Sequence, residues 1–296
     1  MGNILTKQFY RQRKDFEDSC AGRDAGLTFP EGVICSTDIA YADDGIKAHL
    51  LDIYRPEDSQ EKILPVIINV HGGGLIIGNK EFNRYFCALL CKKGFLVYSI
   101  EYRLIPDCLI YDQIADVFMA MDYIKERLAA DGGDSSHVYM AGDSGGACLI
   151  TYANAIQNST NIAMAANVTP SGLRINALGL ISGMFYTSRF DKIGLFLPKY
   201  LYGRDYKKTS FAKYVNPENR ELLNSLAPVW LVTSHNDFLR RYTTDFEKAL
   251  TRAEREHELV VFPKNKKLTH AFSVFEPFLP ESSAVIDMMV EYLRKF

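Results

Sequence analysis

The stretch that decides the fold is "YMAGDSGGACLI", residues 139–150, in which Ser144 stands between small residues. A β-rich apolar run precedes the serine and a helix-forming run follows it, so the stretch predicts a strand, a tight turn and a helix. Such a turn is crowded, and Cβ atoms at Gly142 and Gly146 would collide with neighbouring elements. The glycines therefore predict a Ser144 hydroxyl exposed at the end of a strand, although an incidental serine in a glycine-rich turn would match the same pattern.

Short apolar runs alternate with segments of helical periodicity along most of the chain, as is typical of a mostly parallel sheet covered by helices. The seven predicted strands span residues 48–54, 64–70, 95–100, 137–142, 175–181, 228–234 and 258–263. The predicted helices lie between the second and third strands, at 112–130, after Ser144, at 239–256 and at 281–295. The sequence therefore predicts the α/β class with one large central sheet.

Two regions interrupt this alternation, namely residues 1 to about 35 and the span from about 184 to 225. The second region is rich in tyrosine and phenylalanine but has no strand pattern, and it holds too many aromatic residues for an ordinary solvated loop. No repeat or linker separates either region from the rest. We therefore predict a single domain over residues 1–296, with a helical cap that these two regions form over the catalytic cleft.

Composition and charge exclude several classes of protein. The chain has 296 residues, of which 47% are hydrophobic and 24% charged, close to the globular average. Its net charge of -2 comes from interspersed charges, so we expect no nucleic-acid partner and no stable membrane association. The sequence contains no CxxC pair, no signal-peptide pattern and no apolar run of about 18 residues. These features predict a cytoplasmic protein with free thiols, and they leave open whether it forms a homodimer.

A second glycine-rich motif, residues 71–74 with the sequence HGGG, directly follows a predicted strand. Consecutive glycines let backbone N–H groups converge on an anion, and acyl transfer needs such donors close to the nucleophile. A phosphate loop is the alternative, but no Lys-Ser or Lys-Thr pair follows these glycines and the spacing is not that of a dinucleotide loop. The motif therefore predicts an oxyanion hole formed by the N–H groups of Gly73, Gly74 and Gly145.

A serine nucleophile needs a histidine that accepts its proton. His270 follows the final predicted strand through a lysine-rich loop and is the candidate base. His235 is the main rival, but it lies only two residues before the best carboxylate and would have to reach Ser144 from the same loop. Structural or solvated roles are expected for the other four histidines, which are His49, His71, His137 and His257.

The histidine in turn needs a carboxylate that orients it. Asp237 comes just after an apolar strand, whereas Asp245 falls inside the following helix, where a solvated position is the default. The chain order Ser144, Asp237, His270 is the order of α/β-hydrolase triads. Asp143, next to the serine, is expected to support the turn rather than to carry out acid-base chemistry.

The sequence resembles the hormone-sensitive-lipase-like esterases, a branch of the α/β-hydrolase fold, over most of its length. The shared motifs are HGGG at 71–74, GDSGG at 142–146, YRLIPD at 102–107, NDFLR at 236–240 and HAF at 270–272. Two positions depart from the family pattern: Gly145 replaces an alanine and Leu75 an aromatic residue. Both keep the backbone donors but would change the shape of the pocket. Glu101 and Arg103 are expected to form an ion pair behind the HGGG loop.

Together, the residues and the resemblance predict a serine carboxylesterase that acts on a short-chain, small-molecule ester. Ser144 would attack the carbonyl, His270 would transfer the proton and Asp237 would hold His270. No HExxH motif or cysteine-histidine spacing is present, so we expect neither a metal nor a cofactor. An arylformamidase or a carbohydrate deacetylase on the same fold remains an alternative. A non-catalytic receptor is disfavoured, because such receptors on this fold have lost the catalytic histidine.

Overall fold

The computed structural model of the chain describes residues 2–59 and 62–296, whose strands form one eight-stranded sheet. The strands are β1 (Val33–Ala40), β2 (Leu50–Pro56), β3 (Leu64–Val70), β4 (Leu96–Ile100), β5 (Gly133–Asp143), β6 (Ala177–Ile181), β7 (Val229–Ser234) and β8 (His257–Phe262). They lie in the order β1-β2-β4-β3-β5-β6-β7-β8. β2 pairs antiparallel with both β1 and β4, and all other neighbours are parallel. The predicted α/β fold with a mostly parallel sheet is therefore confirmed.

Helices cover both faces of the sheet. They are α1 (Gly2–Asp24), α2 (Arg84–Lys92), α3 (Ile110–Arg127), α4 (Ser144–Asn158), α5 (Thr160–Ala166), α6 (Lys192–Phe196), α7 (Pro198–Leu201), α8 (Arg220–Asn224), α9 (Arg240–Arg252), α10 (Phe272–Phe275) and α11 (Pro280–Leu293). One apolar layer contains residues of α3, α4 and α9, and the other contains residues of α2, α10 and α11. Within the described ranges, no helix has the length and apolar composition needed to cross a membrane.

The central strands are apolar on both faces because each face packs against one of these layers. In β3, Val66, Ile68 and Val70 belong to the layer of α3 and α4, whereas Ile67 belongs to the layer of α2 and α11. All four side chains are fully buried. A parallel strand that is covered on both sides needs a continuous apolar run, and this is why the run at 64–70 shows no polar alternation.

All seven predicted strands are present, but the apolar pattern did not reveal β1. This strand lies at the edge of the sheet beside β2 and carries polar residues at its centre. Its pairing shifts register between Ser36 and Ile39, where Asp38 adopts a φ of 57°. Because an edge strand with a bulge buries little of its surface, it leaves no apolar run in the sequence.

Both regions outside the alternation supply residues to the cleft beside Ser144. The first contains α1, and the second contains α6, α7 and α8. The aromatic residues of the second region were expected over the cleft, but most of them are buried in the core, among them Phe185, Tyr186, Tyr202 and Phe211. Phe196 and Tyr200 of this region do line the cleft. The description of the chain as a single domain with a cap stays a prediction.

Candidate active site

Ser144 occupies a strained turn between β5 and α4, with a φ of 49°. A Cβ atom at Gly146 would lie 2.1 Å from the carbonyl oxygen of Val70, and one at Gly142 would lie 2.9 Å from the same oxygen. The crowding that the glycines predicted is therefore present. A left-handed serine persists only where its surroundings fix it, and here Ser144 lines the apolar pocket described below.

The structure brings the three predicted catalytic residues together at the carboxyl edge of the sheet. The hydroxyl oxygen of Ser144 lies 2.9 Å from Nε2 of His270. Nδ1 of the same imidazole lies 2.7 Å from Oδ1 of Asp237. The three residues follow β5, β7 and β8, and their side chains form one continuous hydrogen-bonded chain from carboxylate to hydroxyl.

The Asp237 carboxylate is buried and fully hydrogen-bonded. Its Oδ1 accepts from the Leu239 N–H at 2.8 Å as well as from His270, and its Oδ2 accepts from the Thr233 hydroxyl at 2.8 Å. Burial by itself would raise the pKa of Asp237, but the hydrogen bond and charge of His270 outweigh it and hold this pKa below the usual value. The carboxylate is therefore ionised and fixed in position. No sequence pattern indicated Thr233, because its role depends on the turn that brings Asp237 back to β7.

A second hydrogen bond positions the backbone beside His270. Ala271 adopts a φ of 48°, and its N–H donates to the hydroxyl of Ser182 at 3.1 Å. Ser182 has a φ of 50°, and its own N–H donates to the carbonyl oxygen of Val232 at 2.9 Å. The sequence reasoning missed Ser182. The available signal was its position directly after the apolar run of β6, at the same sheet edge as Ser144 and the residues that follow β7.

The HGGG loop lies directly against the start of α4. Gly73, Gly74 and Leu75 have φ values of 106°, 62° and 68°. A Cβ atom at Gly73 would lie 2.0 Å from the carbonyl oxygen of Ile77, and one at Gly145 would lie 2.8 Å from the Leu75 nitrogen. Gly73 and Gly74 line the same pocket as Ser144. Donation by Gly73, Gly74 and Gly145 to an oxyanion stays a prediction, and the close packing is consistent with it.

His71 fixes this loop from behind. Its Nδ1 donates to the Gly72 carbonyl at 2.8 Å and its Nε2 donates to Glu101 at 3.0 Å. Burial opposes the charged form, but Glu101 outweighs this effect and raises the pKa of His71. The expected ion pair of Glu101 with Arg103 is wrong, because Arg103 instead pairs with the buried Asp116 at 2.6 Å. The structural role expected for His71 agrees with these contacts.

Asp143 connects the two glycine-rich motifs. Its Oδ1 accepts from the Gly72 N–H at 3.0 Å and from the Asn83 amide at 3.0 Å. The side chain is buried, and burial raises the pKa of Asp143. A Cβ atom at Gly72 would lie 2.1 Å from its carboxylate, so only a glycine fits there. Asp143 therefore supports the turn, as the sequence predicted.

The competing residues make their contacts elsewhere. His235 lies 2.7 Å from a guanidinium nitrogen of Arg240. Asp245 pairs with Arg189 at 2.9 Å on the outer side of α9. His257 begins β8, whereas the sequence placed it at a solvated helix end. His270 and Asp237 are thus the histidine and carboxylate that share the site with Ser144.

An apolar pocket of about 590 Å³ opens at Ser144 and His270. One wall comes from α1, through Leu5, Phe9, Gln12 and Phe16. A second wall comes from the segment around α6 and α7, through Lys192, Ile193, Phe196, Leu197 and Tyr200. Further apolar lining comes from Ile76, Ile77, Met184, Phe238, Leu239 and Phe275. The arrangement can hold an apolar acyl group beside an activated hydroxyl.

The fold and the Asp237–His270–Ser144 chain define an α/β hydrolase with a serine-hydrolase arrangement. A profile of the alpha/beta hydrolase fold family matches residues 67–273. The chain belongs to this family, which confirms the resemblance noted in its motifs.

Known relatives and solved structures carry esterase names. The chain is 29% identical over 184 residues to a probable isoprenylcysteine alpha-carbonyl methylesterase ICME of Oryza sativa subsp. japonica, covering 58% of the chain and 44% of the relative. It is 33% identical over 120 residues to esterase LipQ of Mycobacterium tuberculosis (strain ATCC 25618 / H37Rv), covering 40% and 28%. The chain thus spans less than half the length of these curated relatives.

A solved structure matches almost the whole fold. It is esterase B from Lactobacillus Rhamnosis, inhibited by a C4-C4 SN3 tributyrin phosphonate, with a TM-score of 0.93 and 22% identity. The match covers 100% of this chain and 96% of that one. At this identity the likeness shows the shared fold, including its extent from α1 to α11.

Proposed function

We propose that the protein is a serine carboxylesterase that cleaves short-chain esters through an acyl-enzyme. The observation that carries this proposal is the hydrogen-bonded chain from Asp237 through His270 to Ser144, which ends in an apolar pocket. The esterase names of the relatives support the same reaction class. The sequence-based expectation of a cytoplasmic protein is retained with this proposal.

The reaction proceeds in two halves. Oγ of Ser144 attacks the ester carbonyl while Nε2 of His270 takes the hydroxyl proton, and the oxyanion is stabilised by the N–H groups of Gly73, Gly74 and Gly145. The carbon–oxygen bond of the ester then breaks, and His270 gives its proton to the departing alkoxide, which leaves as the alcohol. A water molecule, deprotonated by His270, attacks the acyl-enzyme, and Ser144 recovers the proton as the carboxylic acid departs.

We base a preference for short acyl chains on the aromatic side chains that line the pocket. Rings from α1 and from the α6–α7 segment line it, among them Phe9, Phe196 and Tyr200. Burial of each methylene contributes about 0.8 kcal/mol to binding until the pocket is full, after which further carbons stay in water or clash. We therefore propose a maximum at roughly two to six carbons. The inhibitor in the esterase B structure is a C4-C4 SN3 tributyrin phosphonate, whose C4 length lies in this range.

A panel of nitrophenyl esters from acetate to palmitate, run beside N-formylkynurenine and acetylated sugars, tests the proposal. We expect the highest kcat/KM on a short-chain ester and loss of at least about 10⁴-fold in kcat for Ser144→Ala. The same variant should no longer react with an organophosphate. Faster turnover of N-formylkynurenine or of an acetylated sugar would favour the formamidase or deacetylase alternative. Binding of substrates without turnover would favour a receptor.

A further inference from the structure

Arg13 of α1 makes an unusually complete set of contacts for a residue on an exposed helix. Its Nε donates to the carbonyl oxygen of Ile76 at 2.8 Å. Its Nη2 donates to the carbonyl oxygens of Leu104 at 3.0 Å and Ile105 at 2.6 Å. Its Nη1 donates to Oδ2 of Asp107 at 2.7 Å. The guanidinium thus bonds three backbone carbonyls and one carboxylate.

These contacts differ from an ordinary surface ion pair. The Arg13 side chain is 18% exposed, whereas Arg11 on the same helix is 83% exposed and its ion pair is with Asp15 at 3.7 Å. A guanidinium presents five N–H donors in a rigid plane, so it can serve several fixed acceptors that an amide or an ammonium cannot serve together. Arg13 therefore attaches the middle of α1 to the body of the protein.

One partner of Arg13 belongs to the loop that follows the HGGG motif. The N–H groups of Ile76 and Ile77 donate to the carbonyl oxygen of Gly73 at 3.1 and 3.0 Å, which closes the loop into a turn. The buried Gln113 of α3 holds the same turn through the carbonyl oxygen of Leu75 at 3.0 Å. The loop is thus anchored to the body through His71, Asp143 and Gln113, and to α1 through Arg13.

The helix that carries Arg13 also forms a wall of the pocket. Phe9 and Phe16, which line the pocket, lie four residues before and three residues after Arg13. Residues at these spacings are neighbours on one side of a helix. A shift of Arg13 relative to the loop would therefore move both rings.

We propose that Arg13 is a positioning residue that couples the α1 wall of the acyl pocket to the loop that carries Gly73 and Gly74. Acyl-chain selectivity and oxyanion stabilisation then depend on one guanidinium, although Arg13 touches neither the substrate nor the reacting atoms. This inference rests on the proposed esterase function. It deepens that function by assigning to α1 an effect on the chemical step as well as on binding.

Arg13→Gln tests the coupling, with Arg11→Gln as the matched control on the same helix. Both variants retain the contact of Arg23 with the carbonyl oxygen of Phe82 at 3.0 Å and the packing of Phe16 on Phe82, so α1 keeps its other attachments. The measurements are kcat and KM for nitrophenyl esters from acetate to octanoate, and the rate constant for inactivation by a small organophosphate. Circular dichroism monitors folding.

For Arg13→Gln we expect about a 10-fold lower kcat on acetate and a similarly slower inactivation, because the oxyanion donors lose alignment without being removed. The chain-length profile should flatten in the same variant. Arg11→Gln should stay within about twofold of wild type, since its ion pair is exposed. A restored profile in Arg13→Lys would contradict the proposal, because an ammonium cannot bond all four acceptors.

Two results would overturn the coupling. Arg13→Gln could match Arg11→Gln in every readout, or it could change the chain-length profile while kcat on acetate and the inactivation rate stay at control values. If Arg13→Gln does not fold, Asp107→Asn provides the test through the same measurements. We expect about a threefold decrease in kcat on acetate and in the inactivation rate. Unchanged values of both would overturn the coupling. Wild-type protein that neither hydrolyses the esters nor reacts with the organophosphate would instead refute the proposed function.

Discussion

Two parts of the site differ in how firmly their residues are held. One is the carboxyl edge of the sheet, with Ser144, Asp237 and His270, and the other is the mouth of the pocket, with Phe9, Phe196 and Phe238. At the edge, Asp237 is buried and accepts three hydrogen bonds, and His270 lies between it and the nucleophile. At the mouth, Phe238 and Phe196 are 74% and 60% exposed, although the Phe238 ring lies 4.4 Å from the His270 ring. The residues of the proposed triad are therefore held by the sheet, whereas the residues proposed to contact the acyl group depend on helix contacts.

The edge also contains most of the strained backbone near the site. Ser144, Ser182 and Ala271 all adopt left-handed φ values between 48° and 50°. Each such residue costs about 1–3 kcal/mol and persists only where surrounding bonds fix it. Substitutions at the edge should therefore reduce kcat strongly, whereas substitutions at the mouth should mainly change which ester is preferred.

The largest effect at the edge after loss of the nucleophile is expected for Asp237→Asn. An amide cannot hold the imidazole of His270 in the required tautomer, so kcat should fall by roughly 10³–10⁴-fold. Asp245→Asn is the matched control, because Asp245 pairs with Arg189 and Arg241 away from the site. It should change kcat by less than about twofold. Steady-state kinetics of both variants decides the assignment, and equal losses would refute it.

The pH dependence of kcat/KM tests whether a single ionisable group at the edge controls the rate. Protonated imidazole cannot accept the serine proton, so kcat/KM measured from about pH 5 to pH 8 should rise with pH. The pKa of Asp237 is held below its usual value, so this carboxylate stays charged across that range. Two pH units below the midpoint the rate should be about 100-fold lower. A slope of log(kcat/KM) against pH that is greater than one, or a rate independent of pH, would contradict this description.

Gly145→Ala tests how closely the HGGG loop rests on the edge. The added Cβ would lie 2.8 Å from the Leu75 nitrogen and 2.9 Å from the Gly74 nitrogen, so the loop has to move. We expect about a 10-fold loss in kcat with little change in KM, because the oxyanion donors are displaced but not removed. Gly22→Ala in α1 is the control, since no atom lies within 4 Å of its added Cβ. An unchanged kcat in Gly145→Ala would show that the loop tolerates the methyl group.

The smallest effect is expected at the mouth, for Phe9→Ala. The Phe9 ring lines the pocket and packs edge-to-face on Tyr200 at 5.3 Å, so its removal opens space for a longer acyl chain. The preferred chain length should increase, with about a fourfold gain in kcat/KM for each methylene that enters the new space. Phe190→Ala, at a ring that is 92% exposed, is the control and should leave the profile unchanged. The same chain-length profile in both variants would show that α1 does not limit the pocket.

The sequence predicted the edge better than the mouth because the edge is built from local patterns. Ser144 and Asp237 come soon after apolar strands, and His270 follows the last strand through a lysine-rich loop. The glycines around Ser144 mark a turn that packs closely on the end of the neighbouring strand β3. The order of the residues along the chain and the parallel sheet then bring the three together. β1 was missed for the opposite reason, because an edge strand with a polar centre leaves no local pattern.

The sequence by itself determined the fold class, the turn at Ser144, the HGGG loop and the choice of His270 and Asp237. Only the tertiary structure decided which aromatic residues of 184–225 enter the core and which line the pocket, because their spacing is alike in both cases. It also decided the contacts of Arg13 with Ile76 and Asp107, which are 63 and 94 residues apart from it in the chain. Periodicity reports which face of an element is buried, but contacts over such separations depend on how whole elements pack.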